Sequence, residues 1–160
     1  MISELSRYTL EEIKTDLLNQ LEDIKRIASI DLEIDEIDLD GAVLKTPKLH
    51  TKYNNLFADS TISLKNLYSL REKTKLERWK YWNGKQSDRY YKENGLVHEK
   101  ILKGDLEKYL AADEKLILIS EIISIQKASV DYLEKCIKEI QTRNFHCKVV
   151  IDWRRFTTGH

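Results

Sequence analysis

Between residues 71 and 92 the chain reads REKTKLERWKYWNGKQSDRYYK. This stretch interleaves the cations Arg71, Lys73, Lys75, Arg78, Lys80, Lys85 and Arg89 with the rings Trp79, Tyr81, Trp82, Tyr90 and Tyr91. Cations neutralise phosphates and release counterions. Ring faces stack unpaired bases without reading their identity, at about 1–3 kcal/mol per base. A single-stranded nucleic acid calls for both residue types together. At helical spacing Lys75, Arg78 and Trp82 share one face, flanked by Lys73, Lys80 and Tyr81, with Lys85 one turn further on. A blander arrangement uses the same residues: the cations as a solvated helix face, and one of Trp79 and Trp82 as core. Five rings within thirteen residues, in a chain that is 9% aromatic, are unusual for such a face, and both arrangements stay open on the residues alone. An anionic membrane would attract the same charges but needs a cleaner apolar face opposite them.

Other chemistries find little support. No GxxxxGK[ST] or GxGxxG run is present to cradle a phosphate. His146 adjoins Cys147, and Cys136 lies eleven residues earlier, which is not a zinc spacing. His50 and His160 stand alone, and His98 beside Glu99 has no partner pattern. The sequence therefore predicts no catalytic residues, no cofactor and no metal. The two cysteines read as buried, reduced thiols. The beginning, MISELSRYTLEE, has neither the basic nor the apolar region of a signal peptide. No apolar run approaches the roughly 20 residues of a membrane span, so a membrane partner is not expected.

The elements that position the basic-aromatic stretch follow from composition and periodicity. Of 160 residues, 41% are hydrophobic and 34% charged, with only five glycines and one proline. So few turn residues, beside abundant Leu, Ile, Glu and Lys, predict an all-α fold. Net charge is zero but unevenly spread. Residues 1–40 carry twelve acids against four bases, and residues 65–92 carry nine bases against three acids. Separated blocks of this kind bind a polyanion or fold onto one another.

Leu10, Ile13, Leu17, Leu21, Ile24 and Ile27 recur every three or four residues, predicting a first amphipathic helix, and Thr9 with Glu12 fits a capping box. The segment DLEIDEIDLD (31–40) alternates like a strand, though its acidity suits an extended connector equally. Gly41 and Pro47 are read as breakers. They divide the chain into an acidic N-terminal helical and connector region (1–45) and a helical core for DNA binding and oligomerisation (46–160). A second helix starts from Asp59 or Ser60 and stops at Asn83-Gly84. Residues 84–95 are polar and turn-rich, and a short helix is expected over Leu96–Leu110. Asp113 is the expected N-cap of a long C-terminal helix. On it Leu116, Ile119, Ile123, Gln126, Val130, Leu133, Ile137 and Ile140 follow strict heptad spacing. A second stripe, Leu118, Ile122, Ile125, Tyr132 and Cys136, implies burial on two sides, as in a packed oligomer. Gln126 either fixes register or is a tolerated irregularity. In the tail, Phe145, Val149, Ile151 or Trp153, and Phe156 read as packing residues. Arg154 and Arg155 face solvent or a ligand and join the candidate DNA-binding set.

These residues resemble the UvsY-type recombination mediators of T-even-like bacteriophages. That family carries a motif of the form Lys-Ala-Arg-Leu-Asp-Tyr-Tyr-Ser-Gly-Arg, similar to Leu76-Glu77-Arg78-Trp79-Lys80-Tyr81-Trp82-Asn83-Gly84-Lys85 here. Asp88-Arg89-Tyr90, Leu110-Ala111-Ala112-Asp113, Arg143-Asn144-Phe145-His146-Cys147-Lys148, Trp153-Arg154-Arg155-Phe156 and Gly159 follow in the family's order and spacing, over residues 60–160. The resemblance implies a helical protomer forming rings through its C-terminal region, a homohexamer or homoheptamer. Such rings bind single-stranded DNA and help a RecA-like recombinase (UvsX type) displace the phage single-strand-binding protein, in the cytoplasm of the infected bacterial host. Arg78 matches the family's DNA-binding arginine. Leu76 stands where the family has its partner lysine, a role that would pass to Lys75 or Lys80. Weak patches repeated around a ring would bind a strand tightly through effective concentration alone. The alternative is a structural helical oligomer or adaptor whose basic face docks acidic protein, which leaves the clustered rings unexplained.

Overall fold

The computed structural model describes residues 9–95, 101–102 and 104–159. Among these residues there are five helices and no strand: α1 (Leu10–Asp31), α2 (Leu39–Trp82), α3 (Asp88–Asn94), α4 (Leu106–Ala111) and α5 (Glu114–Thr158). None is long and apolar enough to cross a membrane. The described residues within 1–16 and 64–125 form one compact unit, and those within 17–63 and 126–160 form a second.

The capping box at the start of α1 is present. The Thr9 N–H donates to Glu12 Oε2 at 2.7 Å and the Glu12 N–H donates to Thr9 Oγ1 at 3.3 Å. The Thr9 N–H, and after it the Thr9 hydroxyl at 3.0 Å, donate to the Glu12 carboxylate and hold its pKa below the ordinary value. The apolar face of α1 ends differently from its sequence pattern. Ala28 is fully buried while Ile27 turns outward, because the series 17, 21, 24, 28 keeps better step with 3.6 residues per turn.

The alternating segment 31–40 is a connector rather than a strand, and α2 starts from it. Asp38 caps α2, its Oδ1 accepting the Gly41 N–H at 2.9 Å. A side chain at residue 41 would collide with that carboxylate, so glycine here opens the helix instead of breaking it. Pro47 also lies inside α2. It deprives the Val43 carbonyl of its helical donor, a cost of about 3 kcal/mol that flanking tertiary contacts must offset. The second helix therefore begins some twenty residues before Asp59, and the 45/46 division falls within it.

In the second unit, α5 meets two neighbours. Ala28 of α1, Tyr53 of α2, and Leu133, Cys136 and Ile140 of α5 form one buried cluster, with Ile24, Leu49, Phe57, Tyr132 and Ile137 packed around it. A smaller cluster joins Leu39, Ala42 and Cys147, backed by Val150 and Ile151. Within this unit both stripes of α5 meet helices of the same chain. Gln126 donates from Nε2 to the Ser60 carbonyl at 2.9 Å and is satisfied within the protomer. Arg143, also buried, donates to the carbonyls of Leu32 and Glu33 at 2.8 Å and of Ala42 at 3.3 Å, fastening the connector to α5. Burial pushes the Cys136 thiol up.

Candidate nucleic-acid interface

The first unit contains the whole basic-aromatic stretch. α2 ends at Trp82 in a paired C-terminal turn: the Lys85 N–H reaches the Lys80 carbonyl at 2.8 Å and the Gly84 N–H reaches that of Tyr81 at 3.1 Å. Gly84 sits at φ +68°, in the left-handed region that this turn needs and glycine tolerates. The chain then re-enters as α3, whose N-cap Ser87 accepts the Tyr90 N–H. The sequence reading missed this helix; a serine three residues ahead of Tyr90 was its local signal. The short helix expected over Leu96–Leu110 is confined to α4: residues 101, 102, 104 and 105 precede it as loop and turn, and residues 96–100 and 103 lie outside the described residues.

The double-back from α2 to α3 packs the rings against one another, edge-on or tilted. Tyr81 lies 5.0 Å from Trp82, 6.0 Å from Tyr90 and 5.6 Å from Tyr91, and Trp82 lies 5.3 Å from Tyr109. Trp79 and Trp82 pack on the cluster of Leu106, Leu110 and Leu116. Tyr81 is buried and offers no face to a base, a correction to its expected stacking role. Trp82 is half-buried, its indole N–H given to Asp113 at 2.9 Å. Trp79, half-buried, has the Lys85 ammonium over its ring at 4.7 Å.

Arg78 is at the centre of this arrangement. Its Nε donates to Asp113 Oδ2 at 2.6 Å, and the two side chains are only 11% and 1% exposed. Its guanidinium lies over the Tyr81 ring at 4.1 Å, and Nη1 reaches the Tyr90 hydroxyl at 3.5 Å. That hydroxyl donates to Glu77 at 2.5 Å. Burial works against the Arg78 charge, but the bonds to Asp113 and Tyr90 outweigh it and hold its pKa above the ordinary value. Burial first, and the bond to Glu77 second, push the Tyr90 phenol up. Asp113 uses its other oxygen to cap α5, accepting the N–H groups of Lys115 and Leu116. The N-cap expected at Asp113 is therefore present. The sequence reading missed its second role as counter-ion, because the two partners stand 35 residues apart.

Of the expected DNA-binding cations, Lys73, Lys75, Lys80, Lys85 and Arg89 are exposed, and Arg78 is not. Arg89 pairs with Glu93 at 3.0 Å. Lys73, Lys75 and Lys80 have no ion-pair partner among the described residues. Lys75 and Arg71 edge a groove of about 510 Å³ floored by Leu110, Leu116 and Ile117. In the second unit Arg154 and Arg155 are exposed, Arg154 lying 3.9 Å from Glu36.

The expected oligomerisation seam is largely spent inside the chain. Leu116, Ile119, Ile123, Gln126, Leu133 and Ile140 are buried in the protomer, and Val130 and Ile137 are half-buried. The tail is what remains open. Phe145, Val149, Trp153 and Phe156 recur every three or four residues on α5, and the last two are 65% and 80% exposed. Of the tail residues read as packing, only Ile151 is packed on a core cluster within the chain. Among the described residues no group of His, Cys, Asp and Glu could hold a metal ion.

Comparison with known proteins places this arrangement. A family model described as "Recombination, repair and ssDNA binding protein UvsY" matches residues 28–160. Crystal structures of the bacteriophage T4 recombination mediator protein UvsY share the fold. Lattice type IV gives a TM-score of 0.73 at 18% identity, covering 85% of this chain and 98% of that one. Lattice type II gives 0.72 at 18%, covering 86% and 96%. Among curated proteins, none matches the chain in sequence.

Proposed function

The chain belongs to the UvsY family of recombination, repair and single-stranded-DNA-binding proteins, and on that premise we propose that its copies assemble through the end of α5 and hold one unpaired strand on their exposed lysines. The observation that carries this reading is a division of labour within residues 71–92. The rings and Arg78 are consumed by the fold, while Lys73, Lys75 and Lys80 stay exposed, with no ion-pair partner among the described residues. Lys85, Arg89, Arg154 and Arg155 add charge at the margins. With the rings turned inward, phosphate neutralisation supplies most of the affinity, and one copy binds weakly.

Multiplicity makes the difference. The stripe Phe145, Val149, Trp153 and Phe156 is an apolar helix face left in water by the single chain. Isolated exposed hydrophobes are ordinary, but a contiguous stripe at helical spacing marks a contact surface. A second copy of α5 is the occupant that the family's ring architecture supports, as a hexamer or heptamer. Once several copies are joined, each lysine cluster meets the strand at high effective concentration. A strand so held is available to a RecA-like recombinase in place of single-strand-binding protein, in the cytoplasm of the infected host.

Fluorescence anisotropy with labelled oligo-dT across a salt series tests the reading. Binding should be saturable at low salt, with a log–log slope of about −0.7 for each phosphate neutralised. A helical scaffold that docks acidic protein would show no saturable binding under the same conditions.

A further inference from the structure

The strand-binding surface can be narrowed by asking which cations of α2 point the same way. Lys65, Lys73, Leu76 and Lys80 fall within an arc of about 80° on a helix of 3.6 residues per turn. All four are exposed, and none of the three lysines has an ion-pair partner among the described residues. Leu76, 56% exposed, is an unusual apolar residue for such a stripe. Glu72 borders the arc and has Arg71 beside it at 3.7 Å. Arg78 lies two residues beyond Leu76 and so about half a turn round the helix, where it is locked to Asp113. Two residues separated by i, i+2 do not face the same side. A strand lying along the face of position 76 therefore runs on the side of α2 away from position 78.

We infer that the strand runs along the outward stripe Lys65, Lys73, Leu76 and Lys80, and that Arg78 serves the fold instead of the strand. This inference rests on the single-stranded-DNA reading above and assigns its contacts. Lys73 and Lys80 lie two turns apart, about 10.5 Å along the axis. Leu76 sits between them, at the position where the resemblance expects lysine. Lys75 points toward the groove beside Leu116 and Ile117, so the missing charge is supplied by the flanking Lys73 and Lys80 and not by Lys75.

The experiment is the oligo-dT salt series applied to the full chain and three variants, each first checked for helical content. Lys73→Ala with Lys80→Ala should make the log–log slope shallower by about 1.4 per engaged copy, and Leu76→Lys should steepen it by about 0.7 per engaged copy. Arg78→Met with Asp113→Asn removes both buried charges together; the one amide oxygen keeps the cap of α5, and the Trp82 indole loses its acceptor. Its slope should equal that of the unmodified chain. If that pair loses slope while the lysine variant keeps it, the assignment is overturned. Leu76→Lys, a surface change, probes the stripe independently of the buried pair: an unchanged slope counts against the stripe. If the unmodified chain fails to bind oligo-dT at all, the single-stranded-DNA reading itself fails, a result distinct from either of these.

Discussion

Replacing Arg143 with methionine removes three hydrogen bonds at once. The guanidinium holds the Leu32 and Glu33 carbonyls beyond the end of α1 and the Ala42 carbonyl in the first turn of α2. It forms no ion pair among the described residues, but it lines a pocket with Asp31, Glu33, Asp35 and Asp38, whose charges add to those carbonyls and to the negative end of α1. A hydrogen bond to a charged group contributes about 1.5–3 kcal/mol. The Ala42 bond is long, Leu32 is half-buried and Glu33 is exposed, so water can reach their freed carbonyls. A loss of about 3–5 kcal/mol is therefore expected, below the simple threefold total. For a chain of this size that corresponds to a fall in melting temperature of about 6–20 °C. Arg143→Lys keeps the charge but loses the planar fork, and should recover only about half of the difference. Urea unfolding followed by helical circular dichroism, at one fixed protein concentration because assembly feeds into stability, measures both. A loss below about 1 kcal/mol for Arg143→Met would refute the view that this side chain fastens the connector.

Three further outcomes follow from the same packing. Trp153→Asp with Phe156→Asp should reduce the assembly to smaller species by light scattering while leaving helical content intact, because both side chains are exposed in the single chain. Leu133→Ala should do the reverse: Leu133 is fully buried, so stability should fall by about 2–5 kcal/mol while the assembled mass stays the same. In an alkaline titration followed by tyrosinate absorbance, Tyr53, Tyr90 and Tyr132 should ionise last. Burial is the leading cause in each case, aided by Asp31 at Tyr53, Glu77 at Tyr90 and Cys136 at Tyr132. Because their folded pKa values are raised, the stability they contribute is intact below the ordinary phenol value of about 10 and is lost as pH climbs through the higher folded values.

The sequence makes the helices legible and conceals their partners. Heptad spacing on α5 identifies which residues are buried, but an apolar stripe reads the same whether it meets another copy or another helix of its own chain. The second stripe pointed to two neighbours, and α1 and α2 are those neighbours. The open face lies instead at Phe145, Val149, Trp153 and Phe156, which the sequence shows only as aromatic and aliphatic residues near the end. Gly41 and Pro47 misled because local breaker signals are weaker than the packing of a long helix: the Gly41 N–H serves the Asp38 cap, and α2 continues through the proline. Arg78 misled for a different reason. Within a run of exposed cations nothing local distinguishes the buried one, and its counter-ion Asp113 belongs to a distant helix start. Thr9 with Glu12, Asp113 as a cap and Asn83-Gly84 as a stop were legible because each is complete within a few residues.

Native mass spectrometry with and without a dT oligomer tests the central claim most directly. The account predicts an assembly of several copies that takes up the strand as a unit, and that falls apart when the exposed end of α5 is charged by Trp153→Asp with Phe156→Asp. A chain that stays single at working concentration and shows no mass shift with the oligomer in dilute buffer would contradict it.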